Sequence, residues 1–200
     1  MIISSELKAK INDLYYMSNI YEINSFNRMA DRMVKELQEE IGLKRKEAEK
    51  SKDKLRYFEI DFKKESIQTI LELKIINEYR CLEVLLKSLF SKAYILTEKD
   101  SFSDWPSLCK TIKRRGVVLS EVNGYKEAYE LKQVNNCLKH SNKLLNINNR
   151  TKHIYEFRKA NKPDENSLTH FYQRVQPKVL VFVKCFTDKI VENLKQQVIR

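Results

Sequence analysis

Three glycines and three prolines in 200 residues leave this chain few ways to turn tightly. Hairpins, bulges and phosphate-cradling loops all depend on those two residue types. Their scarcity points to an almost wholly helical protein. It also argues against Rossmann and P-loop chemistry, which needs glycines where the backbone meets phosphate. Two hundred residues fit one domain, or one domain with an appendage, and can bury a sizeable core. The expected architecture is all-α, an antiparallel bundle of four to six helices.

Apolar spacing outlines the elements. Leu7, Ile11, Leu14 and Ser18 form one helical stripe, and Ala30, Met33, Leu37 and Ile41 form another. Asn24-Ser25-Phe26-Asn27 reads as a break between them, because Asn and Ser side chains compete with the backbone ladder. Residues 44–56 are nearly all Lys, Arg and Glu, a solvated helix face or a connection. The strongest helix signal covers residues 64–98, where Ile67, Leu71, Ile75, Leu82, Leu86 and Leu89 keep helical spacing within a wide stripe. Ser101 to Pro106 reads as a capped helix start, and Lys113-Arg114-Arg115-Gly116 as the end of that helix. Val117 to Leu119 reads as an extended linker and Asn123-Gly124 as a turn, after which Tyr125 opens a further helix. Residues 142–151 are Asn-rich and predict a loop. His153, Tyr155 and Phe157 alternate with charged residues, which predicts a short strand after His140. A last helix is expected from Leu168 to about Ile199, kinked or divided at Pro177.

The formal net charge is +11, which favours acidic partners such as nucleic acid. Between Leu131 and Lys162 there are eight basic residues against one acid, Glu156. The four cysteines are far apart and lack metal-ligand or disulfide-scaffold spacing, so each is expected to be a small hydrophobe. There is no HExxH, Asp-rich loop or Cys/His grouping, so neither a metal nor a cofactor is expected. The first residues have no signal-peptide core and no apolar run reaches about 20 residues, so the expectation is a cytoplasmic protein with no membrane partner.

The chemistry concentrates in Glu130-Leu-Lys-Gln-Val-Asn135-Asn136-Cys-Leu-Lys139-His140-Ser-Asn142. Residues four apart share a helix face, so Lys132, Asn136 and His140 form one polar ridge. Ala128, Leu131, Val134 and Leu138 point elsewhere. A cation, an amide and an imidazole in a row suit a phosphodiester, and they equally suit a solvated helix end. Metal-free RNA cleavage needs a base for the 2′-hydroxyl, an acid for the leaving oxygen and a cation for the phosphoryl charge.

The helix Ile75-Ile-Asn-Glu-Tyr-Arg80-Cys-Leu-Glu83-Val-Leu-Leu-Lys87, followed by Gly124-Tyr125 and the stretch ending at His140, resembles HEPN domains over roughly residues 65–200. The resemblance implies an HEPN-like bundle at 61–200, with residues 1–60 as an N-terminal helical arm or its first helices. Many members of that family are metal-independent ribonucleases of toxin and phage-defence systems. Two protomers join their motifs, each an Arg, often a polar residue next, and a His separated from the Arg by four to six residues. Here His140 matches the His and Asn136 the polar residue. Asn135 stands where the Arg belongs, and the alternative spacings fall on Val134 and Gln133.

The resemblance thus implies catalytic roles for His140, Asn136 and Lys132. Asn135, Lys139, Lys143, Arg150 and Lys152 would be nucleic-acid contacts, the partners RNA and a second copy. Without the Arg, such an endoribonuclease would be impaired or inactive. Two rivals stay open: a non-catalytic HEPN-derived module that dimerises or docks on a protein, and a basic helical DNA-binding or regulatory protein gripping phosphates through Lys113 to Arg115.

Overall fold

The computed structural model of the chain describes residues 4–21, 25–51, 54–140, 151–158 and 163–199, with the backbone alone at 25, 51, 140, 198 and 199. Six α-helices run in order among the described residues: α1 (Ser5–Ile20), α2 (Ser25–Ser51), α3 (Lys54–Ala93), α4 (Trp105–Arg114), α5 (Tyr125–His140) and α6 (Glu165–Ile199). Short 3-10 turns lie at Leu119–Glu121 and Tyr155–Phe157. The protein is an all-α bundle with no strand among the described residues. No described helix is long and apolar enough to cross a membrane.

The strand expected around His153, Tyr155 and Phe157 is corrected to a turn. Ile154 N–H bonds Thr151 O at 2.8 Å and Phe157 N–H bonds Ile154 O at 3.1 Å, which closes residues 151–157 into successive tight turns. An alternating pattern makes a strand only where a neighbouring strand accepts its ladder, and no such neighbour exists among the described residues. Other boundaries differ from expectation: α3 ends at Ala93, short of the expected 98. α3 begins ten residues before 64, because Arg56, Glu59 and Lys63 continue the helix on the face turned to α2. α6 runs unbroken through Pro177. Pro177 and the Gln173 carbonyl, four residues earlier, both sit on the exposed side, where water can take the bond that proline cannot donate.

The residues cluster into two compact units, and α3, α5 and α6 contribute to both. The first unit comprises Met1–Ile23, Tyr79–Leu131 and Val175–Arg200. Its core is large and apolar: Leu14, Leu82, Leu86, Leu89, Phe90, Phe182 and Phe186 are fully buried. α1 lies antiparallel to the end of α3, where Lys92 pairs with Asp13 at 2.7 Å and Lys10 donates to Ala93 O at 3.4 Å. Asp104 caps α4 by accepting from Ser107 N–H at 2.7 Å. Gly124 adopts φ +83° just before α5, and a β-carbon there would lie 2.3 Å from Lys178 O. Only glycine permits that close approach.

The second unit comprises Asn24–Glu78 and Lys132–Arg174. α2 and the first half of α3 form an antiparallel pair. Four ion pairs step in opposite directions along the two helices: Glu47–Arg56, Lys44–Glu59, Glu40–Lys63 and Asp31–Lys74. Asn27 bonds Glu78 at the far end. On α2 the inward positions are 27, 30, 34, 37, 41, 44 and 48, the 3.5-residue spacing of a coiled coil. Val34 therefore takes the inward place expected of Met33, which is 41% exposed. Asn27 was expected in a break. It is instead inside α2 and buried, where it donates to Glu78 and to the Tyr172 hydroxyl, which itself donates to Glu78 at 3.1 Å.

Candidate functional site

Every described residue of the candidate site belongs to the second unit. The second half of α5 carries the polar ridge. Lys132, Gln133 and Asn136 are half-buried there and Lys139 is exposed. His140 closes the helix, and its side chain lies outside the described residues, as do Lys143 and Arg150 altogether.

Asn135 is 1% exposed. It faces inward because Ala128, Leu131 and Asn135 fall three and four residues apart on the buried side of α5, a spacing already visible in the sequence. Its Nδ2 donates to Asn136 Oδ1 at 3.1 Å. Its Oδ1 has no hydrogen-bond partner among the described residues. A side chain so buried presents no surface to a polyanion in solution.

The turn 151–158 is the element that sequence reasoning missed. Ile154 and Phe157 anchor it in the core, and Phe157 packs on Phe171 of α6 with ring centroids 5.4 Å apart. His153 Nε2 and Gln133 Oε1 of α5 lie 2.9 Å apart. Glu156 takes a two-pronged bond from Arg174 of α6, at 2.7 and 3.0 Å. Burial pushes the Glu156 carboxyl up, but the Arg174 hydrogen bonds and charge outweigh it and hold the pKa below the usual carboxylate value. The one acid of the basic segment is thus neutralised internally. Lys152, His153 and Arg158 stay exposed beside it. No sequence signal links residues 133 and 153, which lie 20 positions apart in the chain.

The same turn and the start of α6 enclose a cleft of about 660 Å³, lined by Tyr155, Glu156, Arg158, Asp164, Asn166 and His170 among others. Tyr155 is 78% exposed. Asp164 caps α6, and the Ser167 side chain and then its backbone N–H hold the Asp164 carboxyl below its ordinary pKa. Among the described residues no cluster of His, Cys, Asp and Glu could hold a metal.

The basic run of α4 is occupied. Arg114 and Arg115 reach Asp100 at 3.2 and 3.1 Å, and Arg115 also donates to Ile95 O at 2.9 Å. Lys113 alone of the three is exposed without such a bond among those described. The cysteines are free thiols; Cys137 is buried, and Cys81, Cys109 and Cys185 are half-buried. Compared with family models, curated proteins and solved structures, the chain matches none.

Proposed function

We propose that this chain is an HEPN-like helical protein that binds RNA and cleaves it weakly without a metal, in a bacterial stress or phage-defence setting, through the second half of α5. The observation that carries the reading is the His153–Gln133 bond. It ties the turn bearing Lys152 and Arg158 to the helix bearing Lys132, Asn136 and Lys139. Cations on both elements supply phosphate contacts. The exposed Tyr155 ring offers a stacking surface for an unpaired base, a common mode of RNA recognition. His140 acts as acid or base, and Lys132 or Lys139 supplies the positive charge in place of Arg. Lysine offers a point charge where arginine offers a fork, so the rate falls by roughly 10²–10³ relative to a complete site.

The test is cleavage of end-labelled RNA in EDTA. Slow cleavage by the wild type that is lost in His140→Ala is the expected result. Equal, intact RNA with both proteins defeats the catalytic reading.

The inward Asn135 favours a second reading, a non-catalytic module derived from the same fold. Such a protein binds RNA or a protein partner without cutting, and binding survives His140→Ala.

A further inference from the structure

α3 has two apolar faces. One is the coiled-coil seam toward α2, with Ile60, Ile67 and Leu71 buried. The other points away from that seam: Phe58 is 74% exposed, Phe62 71% and Leu55 71%. These three stand at i, i+3 and i+7, the knob spacing of a second seam. Phenylalanine presents an area of roughly 150–250 Å² when fully exposed, so the three side chains together offer about 400 Å² of contiguous apolar surface. That is about the size of the largest apolar patch on a typical monomer, the kind of patch that often serves as a binding site. The seam stops where its next positions become Glu65, Thr69 and Glu72.

We propose that this stripe is the interface with a second copy of the same chain, packed antiparallel about a two-fold axis near Phe58. A two-fold contact needs a self-complementary surface. The stripe has one: Lys54 lies at its start, and Asp61 and Glu65 lie along the same edge toward its end. An antiparallel copy sets Leu55 against Phe62 and brings Lys54 of each chain to the acids of the other, Glu65 and Asp61, the latter shared with Lys64 of its own chain at 2.9 Å. A lipid surface fits less well, because Asp61 and Glu65 would enter the headgroup boundary with the phenylalanines. The two apolar patches bury about 800 Å², and the charged rim brings the total toward the roughly 1,200 Å² of the smallest specific interfaces, so the dimer is weak and concentration-dependent.

This inference does not rest on the RNA reading. Sedimentation velocity of the full, nuclease-treated chain tests it, from about 1 to 200 µM in about 0.1 M NaCl, where short-range contacts between Lys54 and the acids still act. The expected result is a monomer–dimer equilibrium. Phe58→Gln with Phe62→Gln should abolish it while leaving the circular dichroism spectrum unchanged, because both side chains are on the surface. Lys54→Glu should weaken association at least several-fold, and adding Asp61→Lys should restore it. A chain monomeric at the highest of those concentrations overturns the proposal. So does a dimer indifferent to the double phenylalanine variant, or a monomer whose stripe binds phosphatidylserine vesicles instead.

Discussion

The two units bury different chemistry. The first packs Phe90, Phe182, Phe186 and a row of leucines into a mainly apolar interior, where Ser18, Thr111, Glu130 and Thr187 are buried as well. The second also buries large apolar groups, Ile60, Ile67, Leu71, Phe157 and Phe171, but its α2–α3 seam adds small and polar layers: Ala30 and Ala48 on α2, and a buried cluster of Asn27, Lys74 and Glu78. Close-packed aromatic cores supply much of a fold's stability. Buried polar groups cost desolvation and return it only when every partner is in place. The pattern assigns bulk stability to the first unit, and alignment of helices to the second.

The sharpest way to break that comparison is Phe186→Ala. Removing a fully buried ring should cost about 3–5 kcal/mol, read by urea unfolding. A loss below about 1 kcal/mol would mean that the first core is not the main source of stability. Glycines give a smaller, signed contrast. Gly124→Ala should destabilise by more than about 1 kcal/mol, since φ is positive and the new carbon meets Lys178 O. Gly42→Ala, in the second unit, has open space around it and should stabilise α2 by about 0.5–1 kcal/mol. Opposite signs in thermal melts are the expected outcome, and equal signs would remove the distinction.

The smallest effect is pH-dependent. The Glu156 carboxyl titrates lower in the fold than in the unfolded chain. Its stabilisation is therefore whole above the ordinary carboxylate range and is lost as pH falls through the depressed folded value. Arg174→Met removes the partner, so the difference in melting temperature from wild type should be greatest near about pH 7 and shrink toward about pH 3. A difference that does not change with pH would show that Arg174 acts through its packing on Phe171 instead.

Much of the helical plan was legible along the chain. The α3 stripe, the Asp104 cap before α4 and the glycine before α5 each depend on a few neighbouring residues. The candidate site was legible only as a cluster of residue types. Lys132 and Asn136 share the polar side of α5 as their spacing implies, whereas Asn135 was readable as inward only by extending the row from Ala128 and Leu131. Lys152 and His153 acquired their place through the contacts that their turn makes with Gln133 and α6.

From sequence alone come the helical class, the caps and the basic character, because propensity, capping and composition are local or additive. Tertiary structure decided that Val34 and not Met33 meets α3, that Asn27 ends in a buried polar cluster, and that residues 155–157 turn and do not extend. Each of those outcomes depends on what another segment offers in return: a facing layer, a hydrogen-bond partner or a neighbouring strand. A local pattern can propose such a partner, but only packing supplies it.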